Sequence, residues 1–221
     1  SAYVDDQDVY IEELNPENPQ EYRTPTGFKQ FRTRSSIITV KDADPVTLTL
    51  RWTDNGPLLP GSHYNLAAIT PPGHVASVNW TVLSGRDTTL DAAMGVMEAK
   101  TVEQAIDAAQ SYIAPAQNLT LVDRKTIAMK TIGAMPRRDA NHQSQGRMPA
   151  PGWSGANRWQ GMLPYTANPE FIAPAGGILG NTNNKLVDSP FPNHASFVWG
   201  DTRRVQRWNR LMQTRQVHTR D

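Results

Sequence analysis

The sequence predicts an α+β fold, in which strands come first, two helices follow and strands return. Three observations support this class. A pair of runs rich in β-branched residues flanks a turn near residue 43, two stretches with helical periodicity lie between residues 89 and 109, and a second pair of β-rich runs covers residues 119–130. Strands and helices that are segregated along the chain are typical of α+β proteins.

The first hairpin is predicted over residues 36–40 and 46–52. Residues 41–45, Lys-Asp-Ala-Asp-Pro, separate the two runs and carry the Asp and Pro that favour a turn. A further strand is expected to precede the hairpin, over residues 9–14. These strands predict a β-rich N-terminal part.

Two consecutive amphipathic helices are predicted next. Apolar residues recur at helical spacing first at Leu90, Ala93, Met94 and Met97, and then at Val102, Ala105, Ile106 and Ala109. The second series begins behind Thr101 with Gln104 three residues on, which is the pattern of a capping box.

A second hairpin and a last helix complete the prediction. Residues 119–122 and 126–130 flank Asp-Arg-Lys at 123–125, without the Asn-Gly that two-residue hairpin turns favour. In the last 20 residues one helical face carries Val205, Trp208, Leu211 and Met212. Prolines gather between residues 135 and 192, so long regular elements are not expected there.

Composition excludes several classes of protein. The 22 basic and 21 acidic residues nearly cancel, which gives no basic surface for nucleic acid. No apolar run approaches the ~20 residues of a membrane span, so neither a nucleic-acid nor a membrane partner is expected. Cys is absent, so a disulfide, a thiolate metal site and a cysteine nucleophile are all excluded. The five histidines form no His-x-His or His-x-x-x-His pair, which disfavours an imidazole metal site.

Several segments stand in an order that points to one family. They are residues 2–12 (AYVDDQDVYIE), 146–153 (GRMPAPGW), 159–165 (WQGMLPY), 176–184 (GGILGNTNN), 197–200 (FVWG) and 203–205 (RRV). Together they resemble the motif series of the penicillin acylases, over nearly the whole chain. Each segment alone is a weak match, and the shared order carries the resemblance.

The resemblance implies an N-terminal-nucleophile hydrolase with a four-layered αββα sandwich. This chain would be an internal fragment of the large subunit. Residues 1–14, 61–134 and 175–221 would belong to the sandwich and its helical layer, and residues 15–60 and 135–174 would form a small β-rich knob domain. Its partners would be the small subunit and the remainder of the large subunit.

In these enzymes a serine freed by autoproteolysis attacks the amide, and its own α-amino group accepts the proton. The segment that carries this serine is not found here. By the resemblance Ser1 falls close to the backbone oxyanion position rather than at the nucleophile. The chain alone is therefore expected to be inactive.

Asn183 is the first candidate for a catalytic role. The resemblance places it on the asparagine whose side-chain amide helps to form the oxyanion hole. A preorganised neutral donor at that point lowers the barrier to amide hydrolysis by about 2.7–4 kcal/mol. The alternative interpretation is that the Asn cluster at 181–184 is only a turn, in which the side chains bond their own backbone.

Arg204 aligns with an arginine that lies near the active site in this family. Its guanidinium would orient a substrate carboxylate or polarise the asparagine. The alternative is that Arg203 and Arg204 are surface charge at the start of a helix.

The acidic segment is the candidate metal site. By the resemblance, calcium would bind the side chains of Asp5 and Asp8, the carbonyls of Gln7 and Gly146, and the side chain of Asn193, with one more carboxylate from the small subunit. Carboxylates and carbonyls are the ligands that calcium takes. The family often has Pro and Asp where this chain has Gly146 and Asn193, so weak binding is expected. The alternative is a solvated acidic cluster.

The resemblance implies that the parent protein cleaves the amide between an acyl side chain and an amine, in penicillin-like or other small N-acyl substrates. Deacylation of N-acyl-homoserine lactones is the alternative within enzymes, and a non-catalytic β-rich binding module is the alternative of another class. A longer reading frame with a signal peptide and an upstream serine would favour the acylase. The family implies a periplasmic or secreted location.

Overall fold

The computed structural model describes residues 1–61, 64–187, 195–214 and 217. The chain divides into two compact units. The first comprises Ser1–Asp6, Ser84–Met135 and Met162–Asp221, and the second comprises Gln7–Leu83 and Pro136–Gly161. Residues 7–14 and 61–83, which were predicted for the sandwich, thus lie in the second unit. Residues 162–174, which were predicted for the knob, lie in the first.

The described residues combine several small sheets with few helices. The strands are β1 (Gln7–Glu13), β2 (Glu21–Thr24), β3 (Gly27–Gln30), β4 (Arg32–Ile38), β5 (Val46–Thr53), β6 (Gly56–Pro57), β7 (His74–Trp80), β8 (Gln117–Val122), β9 (Ile127–Ile132), β10 (Ala150–Pro151) and β11 (Glu170–Ile172). The α-helices are α1 (Thr89–Glu98), α2 (Val102–Ala108) and α3 (Arg203–Gln213). The predicted α+β class is confirmed.

In the second unit, β1 is the central strand of the order β10-β1-β7, parallel to β10 and antiparallel to β7. Its buried positions alternate, as expected for a strand with one face inward, yet two of the three are acidic: Asp8 and Glu12 flank Tyr10. Burying charged groups costs free energy unless partners surround them. The second unit is therefore organised around the partners of these residues.

Glu12 shows how one such charge is accommodated. Its carboxylate is fully buried, and Oε1 accepts hydrogen bonds from Ser77 Oγ at 2.6 Å and from Thr53 Oγ1 and Asn55 Nδ2, both at 2.9 Å. Asn55 also donates to the carbonyl of Gly152 at 3.1 Å. The carboxylate thus joins strands β1, β5 and β7.

The predicted first hairpin is confirmed, because β4 pairs antiparallel with β5 and Ile38 lies opposite Val46. Residues 46, 48 and 50 point to one face of β5, and all three side chains are exposed among the described residues. The hairpin therefore leaves an apolar face uncovered.

In the first unit, the sheet order is β11-β9-β8, and β8 and β9 form the predicted second hairpin. Asp123 replaces the missing Asn-Gly turn. Its Oδ1 accepts the N–H groups of Lys125 at 2.7 Å and Thr126 at 2.9 Å, and its Oδ2 accepts the N–H of Val102 at 3.1 Å. One carboxylate therefore closes the hairpin and caps the start of α2.

The predicted N-cap of α2 is present, since Thr101 Oγ1 accepts from Gln104 N at 3.2 Å. The return bond differs from that of a capping box, because Gln104 Oε1 accepts at 2.8 Å from the N–H of Lys100, the residue before the cap. The apolar face of α2 packs on β9, where Val102 and Ile106 contact Ala128. Full burial of a Val or Ile side chain contributes roughly 1.5–3 kcal/mol. This core holds the helix against the hairpin.

The large apolar side chains of α1, which were expected to be buried, are largely exposed. Leu90 and Met97 are 75% and 77% exposed, and α1 instead buries Ala92. A Cβ at Gly95 would lie 3.2 Å from Ala108 Cβ, so the small residues of α1 allow close packing on α2. The helix was predicted correctly, but within the described residues its large apolar side chains do not face the core.

The last helix, α3, confirms the predicted C-terminal helix. Among the described residues, no helix combines the length and the apolarity that crossing a bilayer requires.

We predict that the Asp123 carboxylate stabilises the fold in a pH-dependent way. Hydrogen bonds from the N–H groups of Lys125, Val102 and Thr126 lower the pKa of Asp123 below 3.8. Because the folded pKa is lower than the unfolded one, the stabilisation is present above the unfolded pKa and is lost as pH falls through the folded pKa. The free energy of unfolding of wild type should exceed that of Asp123→Asn at neutral pH.

This difference should shrink as pH falls from neutral through the folded pKa, and it should vanish once the carboxyl is protonated in both states. Urea unfolding of both proteins across this range measures it. A difference that is independent of pH would show that the charge of Asp123 contributes nothing.

Candidate active site

The Asn-rich loop at residues 181–184 folds on its own side chains. Asn181 Oδ1 accepts the backbone N–H of Asn183 at 3.0 Å, and Asn184 Oδ1 accepts the N–H of Thr182 at 3.0 Å. Asn183 adopts φ of +60°, a left-handed conformation that Asn tolerates better than most residues. The turn interpretation of this cluster therefore describes its backbone correctly.

The same turn leaves the side chain of Asn183 free to act outside the loop. Its Nδ2 donates to the carbonyl oxygen of Ser1 at 2.8 Å and to Ser1 Oγ at 3.2 Å. Its Oδ1 accepts from Arg204 Nη2 at 3.1 Å. The side-chain amide of Asn183 thus accepts a hydrogen bond at its oxygen and donates from its nitrogen. The nitrogen donates to a carbonyl oxygen, the type of atom that an amide substrate presents.

Arg204 is placed by the first turn of α3. Asp201 Oδ1 accepts the N–H of Arg203 at 2.9 Å at the start of this helix. Further along, Trp208 packs so closely on Gly180 that a Cβ there would lie 2.5 Å from the indole ring. The absence of a side chain at Gly180 therefore lets α3 approach the Asn-rich loop.

Asn118 on β8 belongs to the same cluster. Its Nδ2 donates to Asn181 Oδ1 at 3.1 Å and approaches the Ser1 carbonyl at 3.4 Å, and its Oδ1 accepts from Thr131 Oγ1 at 3.0 Å. Asn118 was not among the predicted site residues. The available signal was the predicted hairpin over residues 119–122 and 126–130, since extending its pairing by one residue on each strand places Asn118 directly opposite Thr131.

The predicted Asn183 and Arg204 are thus in direct contact, and Ser1 lies at the donor end of Asn183. A guanidinium on the carbonyl end of an amide polarises it, so the opposite N–H groups become better donors. The cluster can place a preoriented neutral donor on a carbonyl oxygen.

Asp8, one of the predicted calcium ligands, lies in a buried cluster of the second unit. Arg138 Nη2 donates to Oδ1 at 2.7 Å, and Arg138 Nε lies 3.2 and 3.1 Å from the two carboxylate oxygens. The indole N–H of Trp159 donates to Oδ2 at 2.8 Å. His142 Nε2 lies 3.3 Å from the same oxygen. The cluster compensates the charge of Asp8 with a guanidinium and N–H donors.

The other predicted ligands lie as follows. Gly146 contacts the Asp8 cluster, since a Cβ there would lie 2.7 Å from Asp8 Oδ1. Gln7 is the first residue of β1 in the second unit, whereas Asp5 belongs to the first unit. Asp5 accepts from Ser196 Oγ at 2.8 Å and from the N–H of Phe197 at 3.0 Å. Asn193 lies outside the described residues.

The described residues do not by themselves fit a calcium ion. Both oxygens of Asp8 are hydrogen-bonded, and a guanidinium beside them opposes a divalent cation. Within the described ranges no group of three or more acidic, His or Cys side chains could hold a metal. Calcium binding stays a prediction.

The chain matches the family described as penicillin amidase over residues 1–221. The chain belongs to the penicillin amidase family. The predicted resemblance is confirmed.

The similar proteins are acylases by name. The chain is 28% identical over 220 residues to the acyl-homoserine lactone acylase QuiP of Pseudomonas aeruginosa, covering 97% of the chain and 26% of that protein. It is 27% identical over 223 residues to the penicillin G acylase of Escherichia coli, covering 100% of the chain and 25% of that protein. The chain thus spans about a quarter of the length of these relatives.

A solved structure shows the same fold. The thermostable penicillin G acylase from Alcaligenes faecalis matches with a TM-score of 0.84 at 21% identity, over 100% of this chain and 38% of that one. The chain therefore has the fold of that penicillin G acylase.

We predict that Arg138→Met destabilises the second unit by about 3–5 kcal/mol, because removal of one partner leaves the other charge buried and uncompensated. Arg138 and Asp8 have side chains only 4% and 2% exposed. Arg137→Met is the matched control, since the neighbouring arginine donates to the Gln160 carbonyl and is exposed. Urea unfolding should show a change of no more than about 0.5–1.5 kcal/mol for Arg137→Met. Equal effects of the two variants would contradict the buried pair.

We also predict that the 221-residue chain binds calcium weakly, because the Asp8 carboxylate is already neutralised by Arg138. Calorimetric titration with calcium chloride at neutral pH measures the affinity. Wild type should bind no more tightly than the roughly 10⁻⁴–10⁻³ M typical of weak calcium modules. Submicromolar affinity in wild type would show that calcium displaces the guanidinium or binds elsewhere.

Proposed function

We propose that this chain supplies the oxyanion-stabilising part of an active site that hydrolyses amides between an acyl group and an amine. The observation that carries the proposal is the arrangement at Asn183, whose Nδ2 donates to a carbonyl oxygen while Arg204 holds its Oδ1. In this arrangement Asn183 Nδ2 donates to a carbonyl of the chain itself, at Ser1, so its geometry suits the same type of atom in a substrate. Membership of the penicillin amidase family supports this assignment.

The chemistry explains why such a donor matters. When a nucleophile adds to an amide carbon, negative charge develops on the carbonyl oxygen. A donor that is already oriented needs no reorganisation as this charge appears, so it stabilises the transition state more than the ground state. Asn is suited to this task because its amide is a donor that carries no charge to be neutralised.

We infer that Arg204 acts on this donor rather than directly on the reacting carbonyl, because its guanidinium contacts Asn183 Oδ1. The contact fixes which end of the amide faces the substrate. It also polarises the amide, so the N–H end carries more positive charge.

The nucleophile is assigned to a part of the polypeptide beyond these residues. We propose an N-terminal serine, whose hydroxyl adds to the amide carbon while its α-amino group takes the proton and later passes it to the leaving amine. Water then releases the acid from the acyl-enzyme. The chain spans about a quarter of the relatives' length, so we propose that it works with the remainder of a precursor and a small subunit.

Two acyl specificities have support from the comparisons, since relatives are named both acyl-homoserine lactone acylase and penicillin acylase. Assay of the whole polypeptide against phenylacetyl amides and N-acyl-homoserine lactones distinguishes them. Release of amine from neither class would oppose the proposed function.

We predict that Asn183→Ala in the whole polypeptide lowers kcat by about 10²–10³-fold and changes KM much less, because the lost hydrogen bond forms mainly to the developing oxyanion. Steady-state kinetics on an amide substrate measures both constants. Asn183→Gly should give the same loss with less backbone strain, since Gly suits φ of +60°.

Asn184→Ala and Asn181→Ala are the comparisons for this prediction. Asn184 contacts only its own loop and the backbone of Lys185 in the hydrogen bonds described, so its replacement should reduce kcat much less. A greater loss at Asn181 than at Asn183 would place the donor elsewhere in the loop. Full activity in all three variants would contradict the proposal that this loop stabilises the oxyanion.

A further inference from the structure

We propose that Asn118 is a positioning residue that sets the orientation of Asn183. The inference rests on the proposed function of Asn183 and extends it to a residue on a different element. Asn118 lies on β8, 63 residues before Asn181, and its side chain contacts both the Asn-rich loop and the Ser1 carbonyl. Asn118 therefore links the sheet to the loop that carries the donor, Asn183, and to the acceptor, the carbonyl of Ser1.

The first step is the orientation of the Asn118 amide. Thr131 lies directly opposite on β9 and is 2% exposed, and its hydroxyl donates to Asn118 Oδ1 at 3.0 Å. Because the carbonyl end of the amide faces Thr131, both N–H groups point away from it. Thr131 is held by the core of the hairpin, so the direction of these donors is fixed by the sheet.

Asn118 is linked to the backbone of Asn183 through the side chain of Asn181. Asn118 Nδ2 donates to Asn181 Oδ1 at 3.1 Å, and the same oxygen accepts the backbone N–H of Asn183 at 3.0 Å. Asn181 Oδ1 thus receives one hydrogen bond from the sheet and one from the residue in the left-handed conformation. Loss of the first would leave the Asn181 side chain held only within its own loop, by the N–H of Asn183 and by the 3.5 Å contact of its Nδ2 with Asn184 Oδ1.

The third step concerns the acceptor. Asn118 Nδ2 also approaches the Ser1 carbonyl at 3.4 Å, where Asn183 Nδ2 donates at 2.8 Å. Two amide groups therefore converge on one oxygen, and Asn118 is the longer contact. Its main effect is to fix the loop and the Ser1 backbone relative to each other, and Asn183 makes the close hydrogen bond.

A residue that acts through Asn183 has a specific signature. Its replacement should reduce kcat and leave KM nearly unchanged, because the resting amide depends little on the donor. We expect about a tenfold fall in kcat for Asn118→Ala in the whole polypeptide, the size of effect given by one neutral hydrogen bond. In an Asn183→Ala background the same replacement should cause no further fall.

Two further variants separate positioning from stability. Asn118→Asp keeps the acceptor for Thr131 and removes the donor to Asn181, so it should lower kcat at least as much as Asn118→Ala. Thr131→Val keeps the shape of the core and frees the Asn118 amide to flip, so it should give a smaller loss. Thr120→Ala, an exposed position on β8, is the control and should leave kcat unchanged.

A structural readout on the 221-residue chain completes the test. In ¹⁵N-labelled chain, Asn118→Ala and Asn118→Asp should shift the backbone and side-chain amide resonances of Asn183 and speed their hydrogen exchange, whereas Thr120→Ala should not. If either Asn118 variant fails to fold, the spectrum of the other Asn118 variant provides the test. Unmoved Asn183 resonances in a folded variant would overturn the proposal, as would an equal further loss of kcat in the Asn183→Ala background.

These outcomes are distinct from a failure of the proposed function. If Asn183→Ala keeps full kcat, the oxyanion role fails, whatever Asn118 does. If Asn183→Ala loses kcat and Asn118→Ala does not, the oxyanion role stands and the positioning inference fails.

Discussion

The pairing of β8 with β9 is the constraint from which the candidate site is built. Its register sets Asn118 opposite Thr131, and the same two strands present Ala128 to the apolar face of α2. A shift of one residue would turn every side chain to the other face. The apolar contacts with Val102 and Ile106 oppose such a shift, so the core of the first unit determines where an amide of β8 points. The precision of the polar cluster therefore derives from apolar packing.

In the second unit the main physical constraint is the burial of charged side chains along one strand, β1. Asp8 and Glu12 lie on the inward face of β1, and distant segments provide donors to both oxygens of Asp8 and to Oε1 of Glu12. Arg138 compensates Asp8 directly, whereas Glu12 receives neutral hydroxyl and amide donors. Such networks specify one arrangement of the segments, because any other arrangement leaves a buried charge without partners. Their replacement by apolar residues could increase stability while weakening that specification.

The sequence predicts local features better than long-range ones. Among the described residues, the β4–β5 and β8–β9 hairpins and the three α-helices follow from periodicity and turn residues, whereas the β2–β3 pair was not predicted. The family motifs lead to Asn183 and Arg204, which are in contact. The role of Asn118 is not visible in its local sequence, because its partners Thr131 and Asn181 lie 13 and 63 residues further along the chain. The burial of α1 was predicted wrongly for a similar reason. Periodicity shows that Leu90 and Met97 share a face, but it does not show whether another element covers that face. The partner of Asp8 lies 130 residues away, beyond any pattern of spacing.

The left-handed conformation of Asn183 explains why the loop needs support from the sheet. A non-glycine residue at φ of +60° is held there by its surroundings, and a loop alone would relax when the hydrogen bond to its own backbone breaks. Asn181 provides that hydrogen bond, and Asn118 ties Asn181 to β8. Arg204 then fixes the side chain from the opposite end. Backbone and side chain of Asn183 are thus restrained by different elements, which is the condition for a donor to be oriented before charge develops on the substrate.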